Sequence, residues 1–95
     1  MKRFKLSPEA AQDIREIWAY TAAESIKAGR RLRLQIFRAC QTIAANPGIG
    51  HSREDLTEKP VLFWPTGSYL IVYVARKPVE IVRVLHGARD IPSLL

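Results

Sequence analysis

The residues of this chain best suited to chemistry fall in one stretch, Val82-Arg83-Val84-Leu85-His86-Gly87-Ala88-Arg89-Asp90. An imidazole can move a proton near neutral pH, and guanidiniums beside it can grip a phosphate or carboxylate at two points. Arg83 falls in alternation with Ile81 and Leu85, which predicts a permanent charge on an apolar strand face, costly unless paired or partly hydrated. Two readings stay open for it: a structural ion pair, with an acid of the first helix as candidate, or a direct functional contact. His86 ends the strand and Gly87 allows a sharp turn, so Arg83, His86, Arg89 and Asp90 are expected to converge at one sheet edge. A histidine beside a glycine turn also serves simply as a hydrogen-bonding group, and Arg89-Asp90 can cap or pair locally.

Other reactive patterns are poorly represented. His51, His86 and a single cysteine do not make a metal set at any usual spacing, and the sequence has neither a phosphate-cradling glycine loop nor a nucleophile elbow. No metal and no cofactor are therefore expected. Cys40 sits in a helical pattern and reads as a small core residue; Trp18 and Trp64, in apolar settings, read as core aromatics rather than a base-stacking platform.

The elements that must position these groups follow from periodicity. Phe4-Lys5-Leu6 alternates as a short strand and hands over at Ser7-Pro8-Glu9, where serine suits an N-cap and proline the first helical position. Ala10, Ile14, Ile17, Trp18 and Thr21 then recur at helical spacing, predicting a helix to about Ala23. Ser25 is a second N-cap. Leu32, Ile36, Ala39, Cys40 and Ile43 form the next core stripe, which Asn46-Pro47-Gly48 terminates, so the two helices make a hairpin. Leu34 and Phe37 point away from that stripe and lie among Arg30, Arg38 and Gln41, which predicts a helix covered on both sides.

Past a polar loop from Gly48 to Lys59, three β-like runs follow: Val61 to Trp64, Tyr69 to Ala75 and Val79 to Leu85. The breaks at Pro65-Thr66-Gly67-Ser68 and Arg76-Lys77-Pro78 are short enough for an antiparallel meander. Tyr69 to Val74 is apolar on both alternating faces, the mark of a central strand covered on each side. The hairpin can cover one face; for the other, a partner segment is the expected cover. The class is α+β, with β-α-α-β-β-β order and a helical hairpin packed on a mainly antiparallel sheet, in one domain spanning residues 1–95.

Charge is unevenly placed. The formal net charge is +6, and the excess lies in residues 25–53, where Lys27, Arg30, Arg31, Arg33, Arg38 and Arg53 stand without any acid. Such a stripe suits an acidic protein partner or nucleic acid, or is a solvated helix face. The chain starts with charged residues, has no run of signal-peptide length and no membrane-length apolar stretch, and is expected in the cytoplasm.

Six segments together resemble ParE-type toxins of the ParE/RelE toxin–antitoxin superfamily over nearly the whole chain: Leu6-Ser7-Pro8-Glu9-Ala10, Ile17-Trp18-Ala19-Tyr20, Ala45-Asn46-Pro47-Gly48-Ile49-Gly50, Arg53-Glu54-Asp55-Leu56, Tyr69-Leu70-Ile71-Val72-Tyr73 and Arg83-Val84-Leu85-His86-Gly87-Ala88-Arg89-Asp90. Each is weak alone; their order and spacing carry the likeness. The resemblance implies the RelE/ParE toxin fold, expression beside a small antitoxin, and toxicity when that antitoxin is degraded.

Members resembling RelE cut messenger RNA on the ribosome, whereas those resembling ParE poison DNA gyrase. RNA cleavage calls for a base, cationic groups and an acid close together. Here the tail Ile91-Pro92-Ser93-Leu94-Leu95 holds no Tyr, Lys or His, and Asp90 adds negative charge where phosphate would sit. The expected function is therefore gyrase inhibition by binding, with no catalytic residue, and Arg83, His86, Arg89 and Asp90 as target-binding residues. The alternative is a ribosome-dependent endoribonuclease using Arg83 and His86. A ParD-like antitoxin is expected to lay an acidic, apolar segment along the second helix and the open side of the sheet. Leu34 and Phe37 are its anchors and Arg30, Arg31 and Arg38 its charge contacts, within a higher-order toxin–antitoxin hetero-oligomer.

Overall fold

A computed structural model describes residues 3–95; Met1 and Lys2, part of the charged N-terminal stretch, lie outside the described residues. The order is β1 (Phe4–Leu6), α1 (Pro8–Glu24), α2 (Ile26–Ala45), β2 (Leu62–Thr66), β3 (Tyr69–Val74), β4 (Val79–His86) and a short α3 (Ile91–Leu94). The predicted β-α-α-β-β-β order is observed, with α3 added at its end.

Both helix starts use the predicted caps. Ser7 Oγ accepts from the Ala10 N–H at 2.9 Å and Ser25 Oγ from the Ala28 N–H at 3.1 Å, each satisfying a donor that the first turn leaves without a partner. Ser25 also ends α1, its own N–H donating to the Thr21 carbonyl, so one residue serves both helices and the hairpin link is as short as possible. Tight helix packing follows where Gly29 faces Ala22: a Cβ at position 29 would lie 3.0 Å from the alanine methyl.

The four strands run in the order β1-β4-β3-β2, antiparallel except for the parallel β1–β4 pair. In the β2–β3 turn Gly67 takes a φ of 58°, a left-handed conformation that glycine adopts without Cβ strain. The helical hairpin covers one sheet face, where Ala10, Ile36, Cys40 and Ile43 pack on Ile71, Tyr73, Ile81 and Val84.

Three expectations need correction. The other sheet face is covered in part by the chain itself: Phe63, Val72 and Leu85 pack with Ile91, and Leu56, Leu94 and Leu95 close around them. Four residues of α3 are too few to show helical periodicity, so this cover was not readable as an element. Second, Trp18 is 37% exposed on α1 and not a core residue, whereas Trp64 does pack against the core, half-buried, its ring stacked on His51 with centroids 6.5 Å apart. Third, Arg83 does not share a face with Ile81. The β3–β4 register runs Val72↔Arg83 and then Tyr73↔Ile81, so Val82 is an extra residue on β4. This bulge flips the alternation, placing Ile81 toward the helices and Arg83 with Leu85 on the opposite face.

Candidate functional site

β1 spans only three residues, so β4 lacks a strand neighbour beyond Ile81 on that side. Side chains from the start of α1 replace it. Ser7 Oγ donates to the Val82 carbonyl at 2.7 Å, and Asp13 Oδ2 accepts from the Val84 N–H at 2.9 Å. Asp13 also meets Arg83 at two points, Nε to Oδ2 at 2.8 Å and Nη2 to Oδ1 at 2.9 Å. The third arm of the guanidinium, Nη1, donates to the Leu94 carbonyl at 2.9 Å. One arginine thus ties α1, β4 and α3 together, and its pKa is held above its ordinary value chiefly by the hydrogen bonds to Asp13. Of the two readings open for Arg83, the ion pair with an acid of the first helix is the one observed.

Among the described residues, His86 and Arg89 take no hydrogen bond from that lock but share a cavity with Asp13. They line this cavity of about 430 Å³ together with Asp13, Glu16 and Tyr20 of α1 and Tyr69 of β3. The His86 ring meets Tyr69 edge-on at 5.3 Å, and its Nδ1 accepts from the Ala88 N–H at 3.1 Å, fixing the ring against the turn. Arg83 does not line this cavity; it faces a separate hollow beside Pro8, Glu9 and Gln12. Asp90 does not line the cavity either: it precedes α3, its side chain makes no cap bond, and its carbonyl accepts from Ser93 Oγ at 2.9 Å. The expected convergence of four residues therefore holds for His86 and Arg89 only. Asp13, Glu16, Tyr20 and Tyr69 were missed. For Asp13 a signal existed: it sits in the register of Ala10, Ile14 and Ile17, and an acid in a buried helical stripe requires a cation.

A second surface lies where α2 passes the free edge of β1. Here a groove of about 440 Å³ runs between Phe4, Leu6, Leu34 and Phe37, with Arg30 and Arg33 at its rim. Leu34 is 47% and Phe37 49% exposed, and Phe37 packs edge-on against Phe4 at 5.6 Å. Of the residues expected to receive an antitoxin, Arg30, Leu34 and Phe37 line this groove. Arg31 and Arg38 do not, because they turn outward on α2, and Arg33, not anticipated, takes a place at the rim. Beneath it, burial pushes the Cys40 thiol up to about 12, which keeps it protonated and unreactive. Among the described residues no group of three or more His, Cys, Asp or Glu is placed to hold a metal ion.

The family model described as the ParE toxin of type II toxin-antitoxin system, parDE, matches residues 4–91. The chain belongs to the ParE toxin family. Toxin ParE1 of Caulobacter vibrioides is 30% identical over 91 residues, covering 95% of this chain and 94% of that relative. A chain from a structure titled chromosomal ParDE TA system from P. aeruginosa superposes with a TM-score of 0.72 at 17% identity, over 90% of this chain and 96% of that one. The last similarity establishes the shared fold, helices on a four-stranded mixed sheet. As a ParE toxin of the type II toxin–antitoxin class, this chain is one component of a system whose other component is an antitoxin. No helix among the described residues is long and apolar enough to cross a membrane.

Proposed function

We propose that this ParE-family chain is a cytoplasmic inhibitor of DNA gyrase that acts by binding, and that a ParD-like antitoxin neutralises it by occupying the groove of α2 and β1 within a hetero-oligomer. The observation that carries the antitoxin assignment is the pair Leu34 and Phe37, both about half exposed in a groove whose rim arginines, Arg30 and Arg33, have no acidic partner among the described residues. Two apolar anchors beside unpaired cations favour an acidic, amphipathic segment that orders as it docks. Such a segment would add stability to a small toxin by mass action.

For the target, family membership favours gyrase, and the state of Arg83 supports a binding rather than a catalytic role. Its guanidinium is committed to Asp13 and the Leu94 carbonyl, so it would have to break that lock to grip a scissile phosphate. The cavity of His86 and Arg89, with Tyr20 and Tyr69, is the surface proposed to meet the target; Arg83 supports it from behind, and Asp90 flanks it.

Purified protein is to be given to gyrase supercoiling with cleavage-complex detection, and to ribosomes translating a defined messenger RNA, each with and without antitoxin. Gyrase inhibition with intact RNA, relieved by antitoxin, is the expected result. Cleavage of ribosome-bound RNA that disappears on changing Arg83 or His86 would overturn it in favour of the endoribonuclease.

A further inference from the structure

The cations of α2 do not form one surface. At about 100° per residue Arg30 and Arg33 turn to the groove side, whereas Lys27, Arg31 and Arg38 fall within about 40° of one another on the outward side. All three are exposed, and the ion pairs among the described residues, Arg53–Asp55, Arg76–Glu80 and Arg83–Asp13, include none of them. Ala45 continues the same line at the end of the helix. There Arg3 and Lys77 gather around the last turn, in the hollow that Ala44 and Ala45 line. From Lys27 to Ala45 the line is about 27 Å long at 1.5 Å per residue. Residues 25–52 contain no acid to interrupt it.

We infer that this outward ridge binds the phosphate backbone of double-stranded DNA, independently of sequence. A straight array of unpaired cations suits a polyanion with evenly repeated charge, one per about 1.7 Å of duplex axis. A folded acidic protein would need a cluster of apolar groups at the centre of its footprint, whereas on α2 Leu34 alone borders the ridge and Phe37 lies about 80° from Lys27, in the groove. A membrane surface would likewise need an apolar face beside the charge. Gln35 and Thr42, on one flank of the ridge, are engaged within the chain, Gln35 Nε2 donating to Thr66 Oγ1 at 3.5 Å and Thr42 Oγ1 to the Arg38 carbonyl at 3.1 Å, so the cations carry the contact. Ridge and groove are adjoining faces of one helix that meet at Leu34, with Phe37 and Arg33 turned away from the ridge.

The test is binding of the full chain to a fluorescent random-sequence duplex of about 30 base pairs, followed by anisotropy across potassium chloride concentrations. With three to five phosphates neutralised, log K should fall against log salt with a slope of roughly −3 to −5. Lys27→Gln/Arg31→Gln/Arg38→Gln should weaken binding at least about tenfold at low salt and flatten the slope by about 3, and each single change by about 1. Lys5→Gln/Arg15→Gln/Arg53→Gln removes the same charge from other surfaces and should leave the slope nearly unchanged, as should Leu34→Ala/Phe37→Ala. Circular dichroism checks that each variant folds. No measurable duplex binding, or equal losses in the two triple variants, would overturn the assignment. Both outcomes are independent of whether gyrase is the target, which the supercoiling assay reads separately.

Discussion

Asp13 and Arg83 stand 70 residues apart in the chain and meet in a two-point ion pair, their side chains only 10% and 21% exposed. Asp13 does a second job in the same place, accepting the Val84 N–H that β1 is too short to reach. Asp13→Asn keeps an acceptor but removes the charge, and Arg83→Ala leaves the carboxylate enclosed with one backbone donor. Loss of one partner of a part-buried pair should cost about 2–4 kcal/mol, the arginine change more than the asparagine. For a chain of this size the melting temperature should drop by roughly 10 °C or more. Differential scanning calorimetry checks this, and a melting temperature unchanged in both variants would contradict the structural role.

Tyr73 is fully buried, with its hydroxyl donating to the Pro47 carbonyl at 2.7 Å and accepting from the Gly50 N–H at 2.8 Å. A Cβ at position 50 would lie 2.6 Å from that oxygen. Gly50→Ala should therefore destabilise by about 1–3 kcal/mol through overpacking. Tyr73→Phe removes the oxygen and should also destabilise, yet the double variant should cost less than the two single changes added together, because the shortest contact goes with the hydroxyl while those to the ring Cε1 at 2.8 Å and the Phe63 carbonyl at 3.0 Å remain. Urea unfolding of the four proteins completes the cycle, and simple additivity would show that the hydroxyl is not what confines position 50.

The groove of α2 and β1 predicts a separation of stability from affinity. Leu34 and Phe37 are about half exposed, so Leu34→Ala/Phe37→Ala should shift the melting temperature little. If these are the anchors, antitoxin affinity should fall by roughly 100-fold or more, as for paired hot-spot residues. Isothermal titration calorimetry with the antitoxin reads the effect directly; unchanged affinity would move the docking site elsewhere.

Alkaline stability follows from Cys40. Burial raises its pKa from 9.0 to about 12, so the folded chain keeps the proton that the unfolded chain releases. The stabilisation is fully present below pH 9 and is lost as pH climbs toward 12, by about 1.4 kcal/mol for each unit within that window. Tyr73, raised by its own burial, acts in the same direction at higher pH. Cys40→Ala should flatten the decline between pH 9 and 11 when unfolding free energy is measured at stepped pH. A decline as steep as in the parent chain would show that the thiol is not its source.

Local chemistry was legible in advance wherever it depended on neighbours in the chain. Ser7, Ser25, Pro8 and the Asn46-Pro47-Gly48 stop place both helices because caps and breakers act within a few residues, and the two core stripes follow from periodicity alone. The apolar pair Leu34 and Phe37 stood out for the same reason, as did the basic segment of α2 and the likeness to ParE toxins carried by short motifs. Tertiary structure decided the rest. The bulge at Val82 inverts the faces of β4, because a two-residue period cannot announce an inserted residue. The partner of Arg83 is set by β1 ending three residues in, which leaves a carboxylate on α1 to finish the ladder. The α3 segment covers a face that looked open, since four residues carry no period. Most of all, helical spacing separates Arg30 and Arg33 from Lys27, Arg31 and Arg38, but only the placement of β1 beside α2 makes the first side an apolar groove and leaves the second facing outward, a relationship between distant segments that spacing along one helix does not encode.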